Sequence, residues 1–387
     1  MAARRCHRRQ QGFSLIDVMV GIVVALIAVL VIYQVFNVAE GIKRNATGAG
    51  DAQQNGLLST FMMALQAADS GANIAVVADE LDACPKGDGS SQSDVKATLR
   101  PFPIIITDSG DDAASDSFVV NYGSAERVVT SVNFRSAPTI ALGGDGDTFD
   151  VQSPLGFQKD DIIVTMSPDA NGTGQCAQSI VKDVSAVDAD GYVTITHGAQ
   201  AVAPSGTTSV SGSSSLLNLG PTPRRIQYSV DGNGTLQSLE LFNVADGTTS
   251  VPIANNVVLM KIQYGIADPA TGFLQKWVKA GNDGSEDWSA NQMLQKSYTD
   301  LSRIKAVRIA LVVRSESYDK CAYADTCPNP TSNTFSYTLF GQCDGIPCPD
   351  AITGSLDPTP GKGNFRYRVY ETVIPLRNAV WNLHKAA

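Results

Sequence analysis

The 24 residues from Phe13 to Phe36 carry a single charge, Asp17, and from Val18 to Tyr33 there is none. As a helix this stretch rises about 36 Å, at roughly 1.5 Å per residue, enough to cross a hydrocarbon core of about 30 Å. Leu, Ile, Val, Ala and Met fill it, proline is absent, and membrane helices tolerate a glycine such as Gly21. Arg4, Arg5, Arg8 and Arg9 precede it, and no basic residue follows until Lys43. That asymmetry predicts a cytoplasmic N-terminus and an extracytoplasmic remainder. A cleaved secretory signal and a plain single-span anchor share this outline. The first is usually shorter and ends in a small-residue cleavage site, which "VFNVAEG" matches poorly. Neither accounts for Asp17. An unpaired carboxylate near the centre of a membrane helix costs about 2.5–3.5 kcal/mol, so such residues have a partner or a task.

The stretch "GFSLIDVMV" resembles the class III signal of type IV prepilins, in which a short basic leader ends in glycine and is followed by Phe and an apolar helix. The resemblance implies that a prepilin peptidase cuts between Gly12 and Phe13 and methylates the new N-terminal Phe13. The fifth mature residue of that family is typically Glu, and here it is Asp17. Its family role is to meet the N-terminal amine of a neighbouring subunit inside the filament core. The amine of Phe13 and the carboxylate of Asp17 stand at i and i+4, one helical turn apart. In low dielectric, pairing them across staggered helices sets register, because any other alignment leaves both charges unpaired.

Beyond the span, "QVFNVAEGIKRNATGAGDAQQNGLLSTFMMALQAADSG" keeps partial helical periodicity, weakened by Gly41, Gly48, Gly50 and Gly56. Leu57, Leu58, Phe61, Met62 and Leu65 form an apolar stripe at helical spacing. The pattern predicts an amphipathic continuation of the first helix over 37–70, with the stripe laid on a sheet; a short core helix after a glycine-rich linker is the alternative. Later segments read as strands: "DIIVTMS", "GYVTITHG", "RRIQYSVDGNGTLQSLELF", "NNVVLMKIQYGI", "IKAVRIALVVRSES", "TFSYTLF" and "NFRYRVYETVIPLRN". "VDGNGTL" and "DADGY" are turn chemistry, and "PSGTTSVSGSSS" at 204–215 is the most linker-like stretch.

"NNVVLMKIQYGI", the acidic loop carrying "WVKAG" and "DW", "LSRIKAVRIALVVRS" and "YRVYETVIPLRNAVW" resemble the PilW group of minor pilins. With the N-terminal signal, the resemblance covers roughly the first 65 residues and 224–382; the J-type pseudopilin of type II secretion is related in architecture. It implies an α+β, pilin-like fold: a long N-terminal helix packed on an antiparallel β-sheet head with an inserted β-rich region. The expected division is leader 1–12, membrane and filament-core helix 13–36, amphipathic continuation 37–70, β-rich insertion 71–220, and C-terminal sheet with cysteine-rich loops 221–387.

Cys6 falls in the leader, leaving Cys84, Cys176, Cys321, Cys327, Cys343 and Cys348. An even set in an oxidising compartment reads as disulfides, the last four pairing among themselves. Zinc is the rival, but the spacings are looser than a zinc ribbon and no histidine stands nearby.

The formal net charge is −9, and without the four leading arginines basic residues fall from 29 to 25 against 38 acids, a net −13. An acidic body argues against direct nucleic-acid binding. "GGDGDTFD" at 143–150 and "DSGDDAASD" at 108–116 are the places where calcium could sit, though clustered acids in a loop are usually a solvated face; no other metal or cofactor is expected. His197 and His384 have no motif around them, and His197, beside Gly198, reads as a surface turn. Without a nucleophile elbow, zinc motif or phosphate loop, no catalytic residue and no enzyme is expected. The resemblance implies an assembly protein of the type IV pilus, taking part in initiation at the pilus tip and supporting twitching motility and adhesion. The implied partners are other minor pilins, the major pilin, a tip adhesin, prepilin peptidase and the inner-membrane assembly platform. The implied location is the inner membrane, single pass with a periplasmic C-terminal domain, then the pilus. The alternatives are a type II pseudopilin and a membrane-anchored extracytoplasmic enzyme or lectin.

Overall fold

The structure, a computed structural model, describes residues 14–75, 103–126, 130–135, 148–152, 156–167, 175–199, 215–241, 249–282, 286–293, 295–316, 335–343, 346–347, 350–356 and 365–380. Helix α1 runs unbroken over Leu15–Asp69. The chain divides within it: residues up to Asp51 belong to one compact unit, with Ser315, Glu316, Phe365 and Arg366, and the helix from Ala52 onward belongs to the second, with every strand.

The strands in chain order are β1 (Ile104–Thr107), β2 (Ser117–Tyr122), β3 (Val132–Asn133), β4 (Thr148–Val151), β5 (Ile162–Ser167), β6 (Gln175–Val184), β7 (Val193–Ala199) and β8 (Ser215–Gly220). There follow β9 (Arg224–Val230), β10 (Leu236–Glu240), β11 (Val251–Ala254), β12 (Val257–Ala267), β13 (Leu274–Val278) and β14 (Ile304–Arg314). The last are β15 (Phe335–Leu339), β16 (Gln342–Cys343), β17 (Ile346–Pro347), β18 (Ile352–Leu356) and β19 (Tyr367–Pro375). One sheet has the order β1-β2-β9-β10-β11 and a second β13-β12-β14-β19, all antiparallel. The fold is therefore α+β, one long apolar N-terminal helix with a large antiparallel β region.

The two sheets and the helix share one core. Met260, Ile262, Tyr264 and Ile266 of β12 and Val307, Ile309, Leu311 and Val313 of β14 meet Phe118, Tyr228 and Leu236 of the first sheet and Met63 and Ala67 of α1. The period-2 alternation of β12 and β14 puts these residues on one face. Turn chemistry closes the hairpins: between β9 and β10, Asp231 Oδ1 accepts the N–H groups of Asn233 and Thr235, and Gly234 takes φ +80°.

The helix corrects an expectation. Leu57, Leu58, Phe61, Met62 and Leu65 do not lie on the sheet; all five are exposed. The buried face is Ala52, Gly56, Ser59, Met63 and Ala67, at spacings of four, three, four and four. Four of these five residues are small, and small residues let the helix backbone approach the sheet closely. At Gly56 the space is taken by the ring of Tyr370 in β19, which a Cβ there would overlap. Ser59 satisfies its hydroxyl within the helix, donating to Asn55 O at 2.6 Å, so its full burial leaves no open donor.

Strands β3 to β8 form a module with the order β3-β8-β5-β6-β7-β4. Its two ends meet: Phe134 bridges Val151, and Arg135 N donates to Asp150 O at 2.9 Å, so the ladder closes into a small barrel. Closure removes the sheet edges. Phe149, Val151, Ile163, Val181, Val193, Ile195 and Leu216 fill it. His197 stands on the same face of β7 as Val193 and Ile195, 2% exposed and with its ring 5.0 Å from Phe149. It is not in a surface turn: β7 continues through Gly198, which carries the imidazole indoors. The barrel is inserted between β2 and β9, which pair with each other, and its two connections run together, Ser124 N donating to Leu219 O at 2.7 Å and Thr222 N to Ser124 Oγ at 2.8 Å.

Candidate assembly helix and the polar layer of the head

Every described side chain from Ser14 to Lys43 is exposed, and Asp17 is the acid of the first turn. By length and composition α1 is able to cross a membrane. Gly12 and Phe13 lie outside the described residues, as do Cys84, Cys321, Cys327 and Cys348. The backbone of Cys176 stands in β6 opposite Met166 and that of Cys343 in β16 opposite Ile346. Towards its C-terminal end, α1 buries one side in the head and leaves Leu57, Leu58, Phe61, Met62 and Leu65 uncovered on the other. The C-terminal end is fastened by Asn378, whose Nδ2 donates to Asp69 O at 3.2 Å and Ser70 O at 3.0 Å.

On the face of the second sheet turned away from the helix, β12 and β14 set three polar side chains beside the apolar Leu259, Ala310 and Val312. Lys261, Gln263 and Arg308 lie there with exposures of 1%, 0% and 4%. Arg308 donates to Gln263 Oε1 and is sandwiched between Trp277 at 4.8 Å and Phe340 at 4.5 Å. Burial pulls its guanidinium down to about 10. Phe340 takes a left-handed φ of 57° and its N–H donates to Glu371 Oε1 at 2.7 Å. In the first sheet Arg225 Nε donates to Asn121 Oδ1 at 2.7 Å, and burial likewise lowers its pKa to about 10. Trp288 is fully buried, with Lys296 Nζ 4.1 Å above its ring.

The acidic loop 108–116 holds a cation of its own chain. Lys261 Nζ donates to Asp116 Oδ1 at 2.8 Å, Asp111 O at 2.8 Å and Ser109 Oγ at 3.0 Å, and lies 3.8 Å from Asp108 Oδ1. Lys279 reaches Asp112 at 2.6 Å and Tyr337 Oη donates to Asp112 O at 2.8 Å. Among the described residues no group of three or more His, Cys, Asp and Glu side chains is placed to hold a metal. Of the second acidic stretch, Asp150 is described, and it accepts from Thr194 Oγ1 at 2.6 Å.

Sequence reasoning missed Lys261 and Arg308, because charged residues inside alternating strands read as the solvent face. The near-continuous apolar runs of β12 and β14, VVLMKIQYGIA and IKAVRIALVVR, were the available signal that both faces are covered.

The chain thus joins a long apolar N-terminal helix, able by length and composition to cross a membrane, to a large antiparallel β region. Residues 225–378, from β9 through β19, match the family model of type IV pilus-assembly protein W. No curated protein and no solved structure matches the chain.

Proposed function

We propose that the chain is a minor pilin of the type IV pilus, PilW-like, that takes part in initiating pilus assembly and stands at the pilus tip. The match over residues 225–378 carries this reading. The exposed apolar helix supports it, since a chain of this kind must give up lipid for the helices of its neighbours on entering a filament. In this reading prepilin peptidase removes residues 1–12 and methylates Phe13, and Asp17 pairs with the terminal amine of an adjacent subunit. The protein waits in the inner membrane with its head in the periplasm and moves to the cell surface with the fibre. Its partners are other minor pilins, the major pilin, the inner-membrane assembly platform and a tip adhesin; twitching and attachment follow from the fibre. The six cysteines of the mature chain form disulfides, the function requires no cofactor, and neither catalysis nor nucleic-acid contact is part of it.

The test is a clean deletion in the native host, scored for surface pili and for secreted exoproteins. Loss of pili with normal secretion is the expected result. Loss of secretion with normal pili assigns the chain to a type II secretion machine instead. Alkylation of the unreduced protein should find no free thiol in the mature chain, and labelled cysteines would refute the disulfides.

A further inference from the structure

We propose that Lys261 and Asp116 condense within the folded head to form an intramolecular amide, a covalent cross-link between β12 and the residue that leads into β2. The two side chains are 1% and 3% exposed, and Nζ lies 2.8 Å from Asp116 Oδ1. They come from 145 positions apart in the chain and are held by more than each other. Asp116 N donates to Met260 O at 2.8 Å, and Met260 N donates to Ser115 Oγ at 3.1 Å, so one backbone and one side-chain hydrogen bond fix the register of the pair.

The surroundings supply what the reaction needs. An amine and a carboxylic acid condense very slowly in dilute water, but effective molarities of about 10⁵–10⁸ M for well-oriented intramolecular groups remove much of that barrier. Asp108 Oδ1, 3.8 Å from Nζ and on the more exposed side of the loop, is the group that accepts a proton from the ammonium and frees the nitrogen lone pair. The amine then attacks Asp116 Cγ, and the π electrons move onto Oδ2, to which Ile262 N donates at 3.1 Å, a ready oxyanion donor. Ser109 N and Oγ, each 3.2 Å from Oδ1, hold the departing oxygen. Of the three ammonium protons, one stays on the amide nitrogen and two leave on Oδ1 as water, the first by way of Asp108. No oxidant or co-reactant is needed. Burial holds the Asp116 carboxyl above its ordinary range, which favours the protonated, electrophilic form. The product replaces two desolvated charges by one neutral amide, removing the penalty that a buried ion pair carries.

The measurement is the intact mass of the purified full-length chain in detergent, taken after complete reduction so that disulfides do not contribute. The cross-link predicts a mass about 18 Da, one water, lower than that calculated for the chain with the N-terminus it carries, and a branched tryptic peptide joining the segments around Asp116 and Lys261. Lys261→Ala and Asp116→Ala should each restore the full mass, and Asp108→Asn should leave most of the chain unreacted with both reacting groups in place. A folded wild-type protein at the full mass calculated for its own N-terminus overturns the proposal and leaves an ion pair. A loss of water that maps to other residues overturns it equally.

Discussion

Met63 and Phe61 are neighbours on one turn of α1 and have opposite fates: Met63 is completely buried and Phe61 is 61% exposed. Met63→Ala should therefore destabilise the head by about 2–5 kcal/mol, while Phe61→Ala should stay within about 0.5 kcal/mol. Thermal unfolding of the two variants in detergent checks this, and equal losses would contradict the packing described. The order of the two effects was not legible in the sequence. Periodicity points to the largest apolar side chains as the buried ones, whereas a helix that must lie close to a sheet selects its smallest, and only the partner strand with Tyr370 reveals which requirement governs. A second residue-scale expectation concerns pH. Arg303 Nη1 donates to Glu286 Oε1 at 2.5 Å and Lys276 lies 3.4 Å away, and the hydrogen bond from Arg303 is the main reason the Glu286 carboxyl sits below its ordinary value of 4.5. A depressed acid contributes stability above its unfolded value and loses it as pH falls through the folded one. Glu286→Gln should thus lower the melting temperature at pH 7, an effect that fades as pH falls below 4.5 and through the lowered folded value. A difference that persists undiminished below that value would refute the ion pair as its source.

Among the elements, the barrel of β3 to β8 is the one whose form the sequence concealed most, since a β-rich insertion was expected but not its closure. Its strands were partly visible, "DIIVTMS" becoming β5 and "GYVTITHG" β7. Their closure was not, because it depends on the pairing of Phe134 with Val151, between two short segments with no turn signal to announce a partner. The C-terminal strands were plainer: β9, β12, β14, β15 and β19 each fall within a segment whose alternation or β-branched content is strong. Since β2 and β9 pair directly and the connections of the barrel run side by side, the module behaves as an insertion into a hairpin. Replacing residues 124–221 by a short Gly/Ser linker should leave a head that unfolds cooperatively and retains its β-sheet circular dichroism. Loss of cooperative unfolding would show that the barrel is part of the head's core rather than a guest on it.

For the whole molecule, the sequence made the apolar helix and the α+β class legible, because charge asymmetry and hydropathy are local properties. The polar layer on the second sheet was hidden, since Lys261, Gln263 and Arg308 acquire their meaning only from loop 108–116 and from Trp277 and Phe340, residues remote in sequence. The likeness to type IV pilus-assembly protein W lies in the strands of that head, while the proposed function assigns entry into a filament to the helix and Asp17. The most direct test of the proposal that joins them is mass spectrometry of pili sheared from cells expressing the wild-type chain or Asp17→Ala. The account predicts wild-type peptides in the sheared fibre at low copy number, beginning at a methylated Phe13, and their loss from the fibre in the variant. A chain confined to the membrane fraction with residues 1–12 still attached would contradict it.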